Sequence, residues 1–408
     1  MTNMLPVRMN RVHVGELAVS KGEVSFEYDY NWLSNPDAIP LSQSLPLQQD
    51  TFGHREALPY FAGLLPEGHL RDVLAKKLHI SPRNEFQMLN RIGAECAGAV
   101  SLGDQAPMQD GIRELNEKEL REILETLPQR PLHSGIDGVR LSLAGAQDKL
   151  AVRCLENHTA LTLDGSPSTN ILKPPIPGYD DTVGNEAFCM MLAKMQGLRP
   201  AEVSIGNASG LEYLNVVRFD RVIDCERVER VHQEDFCQAY GIMPEFKYQN
   251  EGGPSIPDLF AMLRGAVRPS APHALRLWDM VIFNALVGNH DAHSKNFAIL
   301  YHSRKATTLA PMYDCLSTAV YPELTPKMAM KIGSKYGFEE VYGQHWIALA
   351  EACGLNPAQA RKSIVEMAES LPRLAEQTAK QFARRPIVSE IVGLIRKRCQ
   401  LTLDRMTR

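Results

Sequence analysis

Apolar residues recur at Trp278, Val281, Ile282 and Ala285, the i, i+3, i+4, i+7 spacing of one helical face, and predict a helix over residues 274–287. The pattern stops at a polar stretch, Gly288-Asn289-His290-Asp291-Ala292-His293-Ser294-Lys295-Asn296. Residues 297–301 are apolar again and read as a strand; 302–305 turn the chain into a second apolar arm that ends at Pro311-Met312-Tyr313-Asp314. A polar loop is thus held between a helix and a hairpin, and the hairpin returns a second Asp toward it.

The rest of the chain alternates between the two periods. Residues 11–17 and 24–28 alternate apolar and polar positions, as strands of a small sheet do. Residues 40–47 are bounded by prolines and expected to be extended. A helical pattern over 60–78 is broken around Gly63, Pro66 and Gly68, and is followed by a short helix over 87–92 and a strand over 97–102. A polar linker, 103–111, leads to an amphipathic helix over 116–127. Strands are then expected over 140–143, 150–152 and 170–173, and a helix over 185–196 with Phe188, Met191, Leu192 and Met195 on one face. Residues 202–205 and 214–217 form a hairpin, and 232–238 open a capped helix. Helices over 256–263, 346–352, 357–371, 374–382 and 388–403 make the remainder mostly helical. The expected organisation is an N-terminal module (1–110), a small β-containing part (111–220) and a helical part (221–408).

Asp291 and Asn296 stand five apart, the Asp-to-Asn spacing of a protein-kinase catalytic loop. Phosphoryl transfer needs one carboxylate at the acceptor hydroxyl, and an amide oxygen and a second carboxylate for Mg²⁺, here Asn296 and Asp314. Upstream, Ala144-Gly145-Ala146-Gln147-Asp148-Lys149 is a small-residue stretch whose N–H groups can approach an anion closely. Lys173 ends the next strand, where a kinase places a phosphate ligand. Glu186 is open to two readings, pairing with Lys173 or favouring a helix N-terminus. Residues 218–221 have the place of a hinge whose main chain bonds adenine. Taken singly, each of these stretches is also an ordinary turn, strand end or cap.

Composition narrows the field little further. The 408 residues, 44% hydrophobic and 23% charged, suit a globular protein of two or three domains. A formal charge of −4 gives no pull toward nucleic acid. The basic clusters Arg384-Arg385 and Arg396-Lys397-Arg398 read as a solvated helix face. No apolar run reaches membrane-spanning length and the first residues lack signal-peptide character, so a cytoplasmic protein without membrane contact is expected. The eight cysteines show no CxxC, and no zinc-type spacing supports a metal at His290 and His293.

With these pieces in kinase order, the chain resembles the HipA family of bacterial toxin kinases. The resemblance is carried by 142–149, 171–173, 217–221, 233–235, 291–296 and Tyr313-Asp314, and in the N-terminal part by Leu45-Pro46-Leu47 and Gly63-Leu64-Leu65-Pro66. It implies an α+β, two-lobed protein-kinase-like fold with a small β-rich N-terminal subdomain and a mostly helical C-terminal lobe. It implies a serine/threonine-protein kinase toxin using ATP and Mg²⁺, which arrests growth and favours persistence. The substrate would be a protein serine, as in an aminoacyl-tRNA synthetase such as the glutamyl enzyme. The partner would be a small HipB-like helix-turn-helix antitoxin, through which alone DNA is reached. Asp291 would be the catalytic residue, with Asn296 and Asp314 on the metal. Nucleotide contacts would come from Ala144, Gly145, Ala146, Gln147, Asp148, Lys149, Lys173, Val217, Arg218, Phe219, His293, Lys295, Asn296, Tyr313 and Asp314. Ser142 would be the autophosphorylation site. Ala292, where some members have Gly, retains a small residue. The alternatives are a small-molecule kinase of the aminoglycoside or choline type and a catalytically silent co-repressor scaffold.

Overall fold

The computed structural model describes residues 3–103, 111–129, 142–156, 158–224, 227–382 and 385–406. The chain divides into two compact units, Met1–Pro174 with Gly206–Glu245 and Ala298–Thr308, and Pro175–Ile205 with Phe246–Phe297 and Leu309–Arg408.

The first unit begins with an antiparallel sheet in the order Glu23–Tyr28, Val12–Ser20, Met4–Met9, Val100–Leu102. Alternation puts Leu5, Val7, Leu17 and Phe26 on the buried face, where helices His54–Ala62 and Glu85–Ile92 contribute Phe61 and Leu89 to the same core. Residues 40–47 are not simply extended. Leu45 N donates to Ser42 O across a tight turn, and the Tyr28 hydroxyl accepts from Leu41 N and donates to Leu45 O. A tertiary clamp thus decides a conformation that the flanking prolines leave open.

A six-stranded sheet follows in the order Ile112–Leu115, Thr159–Thr162, Leu150–Cys154, Asn170–Lys173, Leu211–Val217, Val203–Ala208. Helix Glu117–Thr126 covers one face with Leu120, Ile123 and Leu124 against Leu150, Val152 and Leu172. Its start is fixed by a capping box between Asn116 and Glu119. The expected strand at 140–143 falls partly outside the described residues; its described part, Ser142 and Leu143, is not a strand. Of the linker expected at 103–111, residues 104–110 lie outside them. Residues 232–235 form a strand, with Ala298–Ser303 as its partner, before Asp235 caps the short helix Phe236–Tyr240.

The second unit is mostly helical, built on Thr182–Met195, Ile256–Ala266, Ser270–Val287, Gly343–Ala352, Pro357–Ala379 and Pro386–Met406. Trp278 and Trp346 meet edge-on at 5.9 Å in its core. The two helices expected at 357–371 and 374–382 are largely one, running through Pro372. An interior proline costs about 3 kcal/mol, and burial of Leu371 and Ala375 beside it offsets that cost. The cluster Arg396-Lys397-Arg398 is only partly solvated, because Arg398 is buried. Among the described residues no helix is long and apolar enough to cross a membrane.

One ionic cluster lies inside the first unit. Glu95 Oε1 accepts from Arg218 at 3.1 Å and Arg221 at 2.8 Å, and Oε2 accepts from Arg230. Asp220 accepts from Arg218 and from the Gly98 N–H. All five side chains are buried. Burial alone would raise the Glu95 carboxyl, but Arg221, Arg230 and Arg218 hold it down at about 2. A folded value below the unfolded one stabilises the fold above the ordinary carboxylate range, and that stability is lost as pH falls toward the folded value. Glu95→Gln should therefore lower the unfolding free energy at pH 7 by about 3–5 kcal/mol. It should also flatten the acid loss of stability between pH ~4 and ~2, measured by urea titration across that range.

Candidate active site

Helix Ser270–Val287 ends because Gly288 takes the left-handed conformation, φ +80°, with its N–H on Asn284 O. A Cβ at Gly288 would lie 2.8 Å from Leu394 Cδ2 and 2.9 Å from Ala319 Cβ, so the chain must pass here without a side chain. The loop beyond is fixed by amides. Asn289 Nδ2 donates to Asn284 Oδ1 at 2.9 Å, and Asn289 Oδ1 accepts the Asp291 N–H at 3.1 Å. The His293 N–H closes onto Asp291 O at 2.7 Å, and Asn296 N onto His293 O. A 3-10 turn, Ser294–Asn296, then leads into the strand that sequence periodicity predicts.

Asp314 joins this loop within the second unit. Asn296 Nδ2 donates to Asp314 O at 3.3 Å and to its Oδ2 at 3.4 Å, and the Tyr313 hydroxyl donates to Lys295 O at 2.5 Å. Asp314 is held at φ +55°, uncommon for a residue with a side chain. Downstream, Asn185 bonds both the Ser317 N–H and its carbonyl. An amide and a carboxylate brought together are oxygen donors of the kind Mg²⁺ takes, the rest of its shell coming from water and phosphate. Among the described residues no cluster of three or more His, Cys, Asp and Glu offers a full protein cage. The donor set therefore fits Mg²⁺ held jointly with a phosphate ligand.

His290 is spoken for. Arg398 donates to its Nε2 at 2.8 Å and Nδ1 stands 3.2 Å from Thr325 O. Burial, then Arg398, lowers its pKa to about 4, so the ring is neutral at pH 7. Asp291 Oδ1 accepts from the Tyr248 hydroxyl at 2.7 Å, and the Tyr248 ring meets His293 edge-on at 5.3 Å. Ser294 Oγ donates to Lys247 O.

The other candidate residues belong to the first unit. Lys173 is buried at the end of its strand, opposite Leu214. Residues 144–149 do not form a hairpin turn. Glu67 N donates to Gly145 O, Lys149 Nζ donates to Ala144 O at 2.6 Å, and Gly145 adopts φ +101°. Ala146 is exposed, and Gln147 and Asp148 are half-buried. Ser142 is fully buried, with its N–H on Glu95 O and its hydroxyl on Leu64 O at 2.7 Å. Val217 pairs with Asn170, and Arg218 N donates to Thr169 O. The Arg218 guanidinium is committed to Glu95, Asp220, Ser168 and Cys96 O. Phe219 is half-buried. Glu186, in the second unit, is buried in the second turn of its helix, past the first turn in which the helix dipole acts most strongly.

Residues 5–103 match the HipA N-terminal domain and 141–375 the HipA-like C-terminal domain. The chain belongs to the HipA family. Across 393 residues it is 41% identical to the putative kinase Y4mE of Sinorhizobium fredii, covering 93% of each chain. It is 27% identical over 387 residues to the serine/threonine-protein kinase toxin HipA of Shewanella oneidensis, covering 89% of this chain and 87% of that one. The structure of the HipA, HipB and operator DNA complex from Shewanella oneidensis MR-1 matches with a TM-score of 0.87 at 25% identity, covering 99% and 98% of the two chains. The fold is thus the α+β, kinase-like fold expected of a HipA protein, β-rich toward the N-terminus and mostly helical beyond. The chain is a HipA-type kinase.

Sequence reasoning missed three residues at or near these positions. Tyr248 stands 43 residues from the Asp291 it bonds, and Arg398 stands 108 from His290. Glu95 carried one usable signal, a lone acid among small and apolar neighbours in Ala94-Glu95-Cys96-Ala97-Gly98. The turn at Gly288 supplies a direct check. Gly288→Ala should cost about 2–4 kcal/mol, from left-handed strain and crowding against Leu394 and Ala319, read as a loss in denaturant midpoint.

Proposed function

We propose that this chain is a serine/threonine-protein kinase toxin of a toxin–antitoxin module, transferring the γ-phosphate of ATP to a protein hydroxyl. The observation that carries the reading is the Asn296–Asp314 contact, held five residues beyond Asp291 by the amide-pinned loop. In this reading Asp291 orients the acceptor hydroxyl and takes its proton. Asn296 and Asp314 hold Mg²⁺, which when bound neutralises charge on the transferring phosphate. Lys173 and the main chain of 144–149 take phosphate oxygens, and the main chain of Val217 and Phe219 takes the adenine edge. His293 and Lys295 serve the γ-phosphate side, and Tyr313 braces the loop through Lys295 O.

The functional division is residues 1–110 as partner-facing module, 111–220 as nucleotide-binding part and 221–408 as catalytic part. The partner is a HipB-like helix-turn-helix antitoxin, and the setting is the cytoplasm. The similarity to a HipA solved together with HipB and operator DNA supports that partner. Asp291→Asn should leave ATP binding intact, since Asn296 and Asp314 remain, and slow phosphotransfer by roughly 10²–10⁴. A labelled-ATP assay alongside nucleotide titration checks both halves, and near-native transfer by a folded variant would move the base elsewhere.

Ser142 is the proposed self-modification site. A phosphate brings about −1.5 to −2 charges to a buried hydroxyl that now bonds Leu64 O. It cannot remain there, so 142–149 should release from 64–67 and lose the arrangement that binds nucleotide. After incubation with ATP and Mg²⁺, mass spectrometry should find phosphate on Ser142 and nucleotide affinity should drop. Phosphate at Ser142 with unchanged affinity would overturn the switch.

A further inference from the structure

A cavity of about 430 Å³ opens beside Asp291 within the second unit, and Tyr248, Leu324, Met328 and Tyr336 help to line it. That volume is in the range of small-ligand pockets, roughly 300–1,000 Å³. Apart from Asp291 at its edge, Glu251 and Lys327 are of opposite sign and both exposed, and His290 is neutral. Met328 and Ala329 are buried and Leu324 and Tyr336 half-buried, with Thr318 a buried polar residue beside them. The carboxylate at its edge is divided in use. Oδ1 accepts from the Tyr248 hydroxyl, and among the described residues Oδ2 accepts nothing.

Tyr248 is anchored rather than loosely inserted. Glu251 N and Gly253 N both donate to its carbonyl, and the neighbouring Lys247 carbonyl accepts from Ser294 Oγ. Gln249 Oε1 accepts from Lys331 N at 2.7 Å, tying the same segment to the strand Lys327–Ile332 that bears Met328. Segment, loop and strand therefore keep a fixed geometry around one free carboxylate oxygen and a pocket with an apolar and aromatic wall.

We propose that this cavity is the acceptor pocket. It takes a Ser or Thr whose neighbouring residue carries a large uncharged apolar side chain, and Tyr248 is the positioning residue for Asp291. The assignment rests on the kinase reading above. The side chain beside the acceptor packs among Leu324, Met328 and Tyr336 while the acceptor hydroxyl donates to Asp291 Oδ2. In the transfer, the acceptor oxygen bonds to the γ-phosphorus of ATP. The bond from that phosphorus to the β–γ bridging oxygen breaks, its electron pair leaves on ADP, and the hydroxyl proton passes to Oδ2. Tyr248 keeps its own proton and holds the carboxylate plane.

The test uses the full-length chain, ATP, Mg²⁺ and a library of Ser peptides in which each flanking position is varied. The wild type should favour Leu, Met or Phe over Asp, Lys or Gly at one position by at least about tenfold, the scale of one apolar side chain in a pocket. Leu324→Glu should shift that preference to Arg or Lys at the same position, a gain that a misfolded variant cannot show. Tyr248→Phe should lower kcat about 10- to 100-fold, as loss of a supporting hydrogen bond does, with the KM for ATP unchanged. Even labelling whatever the flanking residue, or a preference untouched by Leu324→Glu, would overturn the pocket. A faster Tyr248→Phe enzyme would make that hydroxyl a plug and remove its positioning role. If the wild type labels neither peptides nor itself, the kinase reading fails and the pocket falls with it.

Discussion

A buried carboxylate cannot stand alone, and Glu95 with its three arginines shows what that requirement builds. Removing a carboxylate from water costs several kcal/mol unless donors surround it. The donors come from Arg218, Arg221 and Arg230, more than 120 positions along the chain. The segment 95–98 and the exit of strand Leu211–Val217 must therefore fold as one body. The carbonyls of Cys96 and Gly98 add to the same cluster, so backbone and side chains are committed together. The stretch read as a hinge is consequently rigid in the side chains of Arg218, Asp220 and Arg221.

The loop after helix Ser270–Val287 follows another logic, a relay of neutral amides. Asn284 holds Asn289, Asn289 holds the Asp291 N–H, and the Asp291 carbonyl holds His293. Neutral donors and acceptors fix geometry without adding charge beside the carboxylate proposed as the base. The neighbouring histidine fits that pattern, since Arg398 on Nε2 leaves Nδ1 to carry the hydrogen toward Thr325 O.

Helix 274–287 and its loop were legible because apolar period and polar run are contiguous in sequence, and local rules suffice there. The failures are all tertiary. Pro372 marks a break by local rule, yet packing of Leu371 and Ala375 carries the helix through it. Arg398 sits in a basic cluster of ordinary surface appearance, and only the fold shows that it turns inward to Ala285 O and His290. Tyr248 gave no warning, because a lone tyrosine in a Lys- and Gly-containing loop has no periodic or motif context.

The Arg398 contact also sets an order of events in biosynthesis. His290 and its loop leave the ribosome 108 residues before the arginine that holds them. At about 5–20 residues per second, that is a delay on the order of 5–20 s. During that interval the loop lacks one of its supports, whatever else has already folded. The loop that carries Asp291 thereby reaches its full set of contacts only after the helix Pro386–Met406 has been made.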